Sequence, residues 1–260
     1  MLEKSFGFIG GGRVTRIILG GLVKKGLVPK DVFVSDPNEE VLNNLLKDFP
    51  FVKAEVNQNK KAAQADVVFL SLHPPVIAST IEEIKAELKS DAILFSLAPK
   101  ITIAKFSELL NGFSKIVRVI PNSPSIIDEG FNPVAFSKEI NDSEKEMILS
   151  FLKIFGDCPE VDEKKLEAYA VITAMGPTYF AFQINQLKNL AGEFGLTKEE
   201  SGLGITKMLN GCLNILFNSE LTPQQAMDLI PVKPIGDDEE TIKNIFNTKL
   251  NAIYQKIRVN

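Results

Sequence analysis

Residues 6–15 read FGFIGGGRVT, an apolar run that passes through three glycines into a helical pattern. Gly10 allows the backbone to turn sharply, and Gly12 allows a pyrophosphate group to approach the main chain. The helix predicted from Arg13 to Lys25 points free N–H groups and the positive end of its dipole at that anion. The stretch therefore predicts a dinucleotide phosphate site, formed by Gly10, Gly11, Gly12, Arg13 and Val14.

Two features near this motif bear on the prediction. Thr15 stands where the motif usually has a third small residue. Asp36 follows the next predicted strand, about 20 residues after the glycine turn, where dinucleotide folds place an acid on the adenosine ribose. Its charge would oppose a 2′-phosphate, which points to NAD, but the choice between NAD and NADP stays open. The alternative is a tight turn without a ligand, with Asp36-Pro37-Asn38 as an Asx turn.

Length and composition exclude several classes of protein. The 260 residues exceed the usual size of one domain and predict two. The net charge is −4 with acids and bases interspersed, so no basic stripe indicates a nucleic-acid partner. Cys158 and Cys212 are isolated, which is typical of a reducing cytoplasm. No apolar run approaches the ~18 residues of a membrane span. We expect a cytoplasmic protein that binds no membrane and no metal.

Strand and helix patterns alternate over the first part of the chain. Apolar strands are predicted at Phe6–Gly10, Asp31–Ser35, Val67–Leu72, Ala92–Leu97, Lys115–Ile120 and Pro133–Phe136. Amphipathic helices are predicted at Arg13–Lys25, Glu39–Lys47, Val76–Lys89 and Ile103–Leu110. This alternation indicates βαβ units with a parallel sheet, which binds ligands at the carboxyl ends of its strands. The predicted fold class is α/β, with a Rossmann-type dinucleotide-binding domain.

From Glu163 onward the patterns are helical. Helices are predicted at Lys165–Ala174, Thr178–Phe194, Lys198–Asn218, Thr222–Leu229 and Asp238–Lys256. Thr197 and Thr222 are predicted helix caps, each with a Glu or Gln three residues later. The domain boundary is placed near residue 160, so that residues 1–160 form the Rossmann domain and residues 161–260 an all-α domain. Its wide apolar faces predict burial against a partner subunit.

Three motifs resemble those of the pyrroline-5-carboxylate reductase family, and the resemblance runs over nearly the whole chain. FIGGG at residues 8–12, followed by IILGGL at residues 17–22, is similar to the family's F-I-G-x-G … I-I-x-G-L start. RVIPNSP at residues 118–124 resembles its R-V-M-P-N-[ST]-P loop. GPTYF at residues 176–180 resembles the G-P-A-Y-F segment that opens its dimerisation helix.

The resemblance implies reduction of 1-pyrroline-5-carboxylate to L-proline by hydride transfer from NADPH or NADH. It also implies a homodimer or larger homo-oligomer that interlocks through an all-α dimerisation and substrate domain. Asn122 and Thr173 are the catalytic candidates, because the Asn122 amide can orient nicotinamide or substrate and Thr173 keeps a hydroxyl of the family motif. The remaining candidates are His73, Pro74 and Ala98 for the cofactor, and Gly176, Gly236, Asp237 and Asp238 for the substrate.

Several candidates have plainer interpretations. His73 either contacts the nicotinamide ribose or donates a proton, or is a loop residue whose backbone alone matters. Arg13 either reaches the cofactor phosphates or is a solvated helix residue. Asn122 lies between two prolines and is also typical of an ordinary turn.

The chain departs from the family pattern at two places. Met175 replaces a small hydroxyl residue just before the GP segment. The family's S-P-G-G-T-T loop, which holds the substrate carboxylate, corresponds to residues 233–241, where Asp237 and Asp238 replace the threonines. A carboxylate within ~4 Å of a bound carboxylate costs about 1 kcal/mol in water and more in a drier cleft, unless Lys233 compensates. The alternative is that Asp237 caps the last helix, with Glu240 as capping-box partner.

Three hypotheses follow from these residues. The first is a pyrroline-5-carboxylate reductase with an altered carboxylate site. The second is an NAD(P)-dependent reductase of a different imine or carbonyl compound, one that lacks the carboxylate or carries a cation. The third is a dinucleotide-binding dimer that does not catalyse a reaction. We take the first as the main prediction, because the P-N-S-P and G-P-x-Y segments that border the reaction site are retained.

Overall fold

The computed structural model describes residues 1–259. The chain forms two compact units. The first unit comprises Met1–Met175 and the C-terminal residues from Ile253, and the second comprises Gly176–Ala252. The sequence predicts a boundary near residue 160, whereas the division falls at Met175, because Leu166 and Ala170 pack into the core of the first unit.

The first unit contains a twisted sheet with helices on both faces. Its strands are β1 Ser5–Ile9, β2 Asp31–Asp36, β3 Lys53–Val56, β4 Val67–Leu70, β5 Ile93–Ser96, β6 Ile116–Val119, β7 Gly130–Phe131, β8 Val134–Phe136 and β9 Gly156–Asp157. Seven of them form one sheet in the order β3-β2-β1-β4-β5-β6-β8, and β7 pairs with β9. All pairs in the large sheet are parallel except β6 with β8. The predicted fold class is confirmed, and the order reverses between β1 and β4, where such sheets bind dinucleotides.

The helices of the first unit lie between the strands along the chain. They are α1 Arg13–Lys24, α2 Glu39–Asp48, α3 Asn59–Ala63, α4 Pro74–Ile84, α5 Ile103–Leu109, α6 Asp142–Leu152 and α7 Leu166–Tyr169. A π turn at Ala170–Ala174 follows α7.

Phenylalanine rings fill one face of the sheet. Phe8 on β1 stacks on Phe69 of β4 with ring centroids 4.5 Å apart. Phe69 in turn stacks on Phe95 of β5 at 4.8 Å. Phe6 meets Phe151 of α6 edge-on at 5.5 Å. These rings are almost fully buried, and burial of each contributes about 1.5–3 kcal/mol to stability. They hold β1, β4 and β5 in the register that brings their carboxyl ends to one edge.

Five of the strands and helices named above were not predicted from the sequence: β3, β7, β9, α3 and α6. β3 and α3 span only 4 and 5 residues, too short for a periodic pattern to emerge. α3 packs directly on β1, since a Cβ on Gly7 would lie 1.8 Å from the Ala62 carbonyl oxygen. α6 carries a recognisable signal that sequence reasoning missed, a capping box between Asn141 and Glu144.

The second unit is helical, as predicted. Its helices are α8 Gly176–Glu193, α9 Lys198–Asn218, α10 Pro223–Met227 and α11 Glu239–Ile257, of which the last turn of α11 groups with the first unit. α9 has the predicted bounds, and the predicted capping boxes at Thr197 and Thr222 are both confirmed. No helix among residues 1–259 is long and apolar enough to cross a membrane.

The start of β4 is tied to the start of β1 by Asp66. Its carboxylate accepts hydrogen bonds from the Ser5 N–H at 2.9 Å and the Ser5 hydroxyl at 2.8 Å, and pairs with Lys89 at 2.6 Å. The Lys89 ammonium, together with the Ser5 donors, holds the pKa of Asp66 below its usual range.

This lowered pKa predicts a contribution to acid stability. A carboxyl group whose folded pKa is depressed stabilises the fold above its unfolded pKa of about 3.9, and the contribution is lost as the pH falls below that value. We expect Asp66→Asn to reduce stability at pH 7 and to flatten the decline in melting temperature below about pH 4. Asp91→Asn, at an exposed turn, should keep the wild-type decline. Equal pH profiles for Asp66→Asn and wild type would contradict the assignment.

Candidate active site

The glycine turn after β1 has no room for a side chain at its first residue. Gly10 has a φ of +103°, which L residues rarely adopt. A Cβ added to Gly10 would lie 2.5 Å from the carbonyl oxygen of Ser71, which follows β4. The Gly10 N–H donates to the Ser35 carbonyl at 2.7 Å. The turn therefore lies between the carboxyl ends of β2 and β4 and contacts both.

Thr15 stabilises this turn. It is fully buried, and its hydroxyl donates to the Gly10 carbonyl oxygen at 2.6 Å. A small residue at this position usually allows the helix to pack closely on the strand. Here Thr15 joins helix and turn by a hydrogen bond instead. Its presence is compatible with a phosphate-binding turn.

The N-terminus of α1 is open. Gly12 precedes the helix without a side-chain cap, and the first turn contains no acidic residue. A Cβ added to Gly12 would meet nothing within 4 Å. The first N–H groups of a helix, here including those of Arg13 and Val14, have no partner within the helix. The Arg13 side chain is exposed. The space above Gly12 is thus suited to an anion.

The Asp36 carboxylate forms the Asx turn and also contacts the glycine turn. Its Oδ1 accepts from the Asn38 N–H at 2.8 Å, which is the Asx turn. Its Oδ2 accepts from the Gly11 N–H at 2.8 Å, which ties this turn to the glycine turn. A carboxylate has about four lone-pair positions, so two stay available for ribose hydroxyls.

The other predicted cofactor residues follow β4 and β5 at the same edge of the sheet. His73 is exposed and precedes α4 without capping it through its side chain. Pro74 is the first residue of α4, and its side chain lies outside the described part of the structure. Ala98 follows β5 and is 2% exposed. In the described part of the chain, neither His73 nor Ala98 has a side-chain hydrogen bond that distinguishes a binding role from a loop role.

The two catalytic candidates are in contact. The Asn122 Nδ2 donates to the Thr173 carbonyl oxygen at 3.4 Å, and the Asn122 Oδ1 accepts from the Phe131 N–H at 3.0 Å. The Thr173 hydroxyl donates to the Tyr169 carbonyl at 2.8 Å. Thr173 lies in the π turn, where the Met175 N–H donates to the Ala170 carbonyl at 3.0 Å. Such turns occur often at functional sites. The Thr173 oxygen therefore remains free to accept a hydrogen bond rather than to donate one.

The predicted substrate residues belong to the second unit. Gly176 begins α8, and Gly236, Asp237 and Asp238 form a 3₁₀ turn before α11. Both aspartates are exposed. The Gly236 and Asp238 N–H groups donate to backbone carbonyls at 3.0 and 3.1 Å.

The predicted capping of the last helix by Asp237 is wrong. No hydrogen bond described for residues 1–259 joins its carboxylate to α11, because the 3₁₀ turn occupies the entry to the helix. Glu240 pairs with Lys243 at 3.0 Å instead of reaching back. Lys233, the expected compensating cation, pairs with Asp228 at 2.9 Å, and this contact raises the pKa of Lys233.

Sequence reasoning missed one group of residues near the site. Arg118 lies on β6, is fully buried, and pairs with Glu163 and Glu167. The signal was a single arginine in an otherwise apolar strand, Ile116–Val119. A buried charge of this kind requires a partner elsewhere in the chain.

The comparisons with known proteins agree with this geometry. Residues 5–100 match a family model described as NADP oxidoreductase, coenzyme F420-dependent. The pyrroline-5-carboxylate reductase of Escherichia coli (strain K12) is 24% identical over 243 residues, which cover 93% of this chain and 90% of that protein.

Two solved structures share the fold over almost the whole chain. The structure of Plasmodium falciparum pyrroline carboxylate reductase with NADP bound superposes with a TM-score of 0.76 at 23% identity, covering 99% of this chain and 96% of that one. The pyrroline-5-carboxylate reductase of Coxiella burnetii superposes with a TM-score of 0.68 at 27% identity, covering 98% and 94%. The chain is therefore similar in sequence and fold to pyrroline-5-carboxylate reductases over nearly its whole length, and it carries the three motifs at residues 8–22, 118–124 and 176–180.

Proposed function

We propose that this protein reduces the cyclic imine 1-pyrroline-5-carboxylate to L-proline, with NADPH or NADH as hydride donor. The observation that carries the proposal is the open N-terminus of α1 behind Gly12, in a chain similar over nearly its full length to proteins of that name. The two unpaired cysteines support a location in the reducing cytoplasm.

The cofactor site uses the carboxyl edge of the sheet. The N–H groups at Gly12, Arg13 and Val14 bind the pyrophosphate, and the free lone pairs of Asp36 accept from the adenosine ribose. The charge of Asp36 disfavours a 2′-phosphate, whereas the exposed Arg13 favours one. Binding measurements with both cofactors decide between these opposing charges. His73, Pro74 and Ala98 border the nicotinamide end.

The reaction needs orientation more than reactive side chains. The bound reduced nicotinamide supplies a hydride to the carbon of the protonated C=N bond, so that the nitrogen keeps its proton and becomes the amine of proline. Asn122 holds the loop after β6 in place through its bonds to Phe131 and Thr173. The Thr173 hydroxyl donates to the Tyr169 carbonyl oxygen, so its own oxygen accepts from the N–H of the protonated imine and thereby stabilises the reactive form of the imine.

A second substrate class is favoured by the acidic turn. Asp237 and Asp238 are exposed, neither caps α11, and Lys233 is already paired with Asp228. Two unneutralised carboxylates oppose a carboxylate substrate. They suit an imine or carbonyl compound that carries a cation instead.

The assay for this proposal is direct. Purified protein should oxidise NADPH or NADH when racemic pyrroline-5-carboxylate is added, as followed by the loss of nicotinamide absorbance. If the acidic turn repels the substrate, Asp237→Thr with Asp238→Thr should lower the KM for the imine about fivefold or more, as expected for ~1 kcal/mol of relieved repulsion. The melting temperature should not change, since neither residue caps the helix. Cofactor binding without turnover would contradict the proposed reaction and favour the non-catalytic dimer.

The cofactor site predicts a selective effect at Gly12. Gly12→Ala should keep the wild-type melting temperature, because the added methyl meets no protein atom. It should weaken cofactor binding about tenfold or more, since the methyl occupies space that the pyrophosphate needs. Gly20→Ala on α1, where the nearest atoms lie 3.9 Å from the added carbon, is the matched control and should bind normally. Equal dissociation constants for the two variants, measured by isothermal titration calorimetry, would show that the phosphate does not bind at this turn.

We also propose that the protein is a homodimer formed through the second unit. α8 and α9 bury few of their residues within the chain. Their exposed large apolar residues are Phe180, Phe182, Leu187, Leu203, Met208, Leu213, Leu216 and Phe217. A face of this kind marks a subunit interface, because burying each phenylalanine contributes about 1.5–3 kcal/mol.

The dimer proposal is tested at the most exposed aromatic residues within α8 and α9. Phe182 and Phe217 are 68% and 77% exposed. Phe182→Asp with Phe217→Asp should convert the protein to monomers in light scattering after size-exclusion chromatography, since two charges would enter the apolar interface. Val28→Asp in the first unit, at a residue that is 47% exposed, should leave the assembly intact. A wild-type monomer would overturn the proposal.

A further inference from the structure

A buried ion-pair network lies behind the proposed reaction site. The Arg118 Nη2 donates to Glu167 Oε1 at 2.6 Å, and its Nη1 donates to Glu163 Oε1 at 2.8 Å. Arg118 is fully buried, and Glu167 is 2% exposed. One guanidinium group thus joins two carboxylates that approach it from the segment before the π turn.

The same two carboxylate oxygens also hold the loop after β5. The Lys100 N–H donates to Glu167 Oε1 at 3.0 Å, and the Ile103 N–H donates to Glu163 Oε1 at 2.6 Å. Lys100 has a φ of +84°, which is uncommon for a residue other than glycine. Such a conformation persists only where the surroundings hold it. Glu167 is therefore an anchor for the loop that carries Ala98.

The elements that contain Arg118 and Glu167 lead directly to the two catalytic candidates, Asn122 and Thr173. α7, which contains Glu167, continues into the π turn that contains Thr173. β6, which contains Arg118, leads to Asn122, and Asn122 donates back to the Thr173 carbonyl. The Arg118–Glu167 ion pair thus connects three segments: the loop after β5 that contains Ala98, the loop after β6 that contains Asn122, and the π turn that contains Thr173.

A buried ion pair adds little net stability, but it fixes the relative positions of the groups that it joins. Removing two charges from water costs several kcal/mol per ion, so an apolar pair of similar volume is often as stable. The planar guanidinium fork, however, fixes the direction of each bond.

We infer that the Arg118–Glu167 pair is a positioning element for catalysis, which sets the loop after β5 against the π turn that carries Thr173. The inference rests on the proposed reductase function. Neither residue reaches substrate in this assignment; both act through Ala98, Asn122 and Thr173.

The test shortens Glu167 while keeping its charge. Glu167→Asp withdraws the carboxylate by about 1.5 Å, so it cannot hold both the Arg118 fork and the Lys100 N–H. Since a displacement of about 1 Å can cost up to roughly 10²-fold in rate, we expect kcat to fall about tenfold or more. The cofactor dissociation constant should stay within about twofold, because the glycine turn lies on another strand. The emission of bound NADPH should shift, since it reports the nicotinamide environment without substrate.

Two further variants separate positioning from stability. Glu167→Gln keeps an oxygen that can accept from Lys100 and Arg118, and should recover most of the kcat lost in Glu167→Asp. Glu144→Asp removes the same methylene from a partly buried pair with Lys115, and should lower the melting temperature without changing kcat.

The outcomes are distinct. Wild-type kcat and NADPH emission in Glu167→Asp overturn the inference, as does an equal loss of kcat in Glu144→Asp. If the wild-type protein binds NADPH but does not turn over pyrroline-5-carboxylate, the proposed reaction fails, and the emission of bound NADPH still decides the positioning role. A wild-type protein that binds neither nucleotide overturns both.

Discussion

The turn after β1 is confined on three sides, and the cofactor site depends on that confinement. Gly10 lies against the Ser71 carbonyl oxygen, the Thr15 hydroxyl holds the Gly10 carbonyl, and Asp36 accepts from the Gly11 N–H. Each contact joins this turn to a different element of the first unit. Together they aim the uncapped N-terminus of α1 at the carboxyl edge of the sheet, where a helix dipole and free N–H groups attract an anion.

The opposite half of the site is built in another way. Its candidates, Asn122 and Thr173, are held by side-chain and backbone hydrogen bonds between a loop and a π turn. Glu167, which lies on the helix before this turn, forms a buried ion pair with Arg118. The same carboxylate accepts from the Lys100 N–H and so links the turn to the loop after β5. The phosphate half relies on backbone N–H donors in a turn that requires glycine, whereas the chemical half relies on hydrogen bonds from particular side chains. Substitutions in the two halves should therefore separate cofactor affinity from turnover.

The acidic turn before α11 differs from the loop expected from the motif resemblance. Asp237 and Asp238 gain no partner that explains them as structural residues, and the nearby lysines are already paired with other acids. Their charge consequently stays available to act on a ligand. This is a physical reason to measure the substrate preference of this chain directly.

The amino-acid sequence by itself determined the alternation of strands and helices, the glycine turn, the bounds of α9 and the caps at Thr197 and Thr222. These features arise from patterns within one element or one turn, so they are readable locally. The tertiary structure decided the use of Thr15, the double role of Asp36, the buried pairing of Arg118 with Glu167, and the 3₁₀ entry that displaces the expected Asp237 cap. Each of these depends on which distant groups the fold brings within hydrogen-bonding distance. No local pattern carries that information, because a side chain's partner is set by packing rather than by its neighbours in the chain.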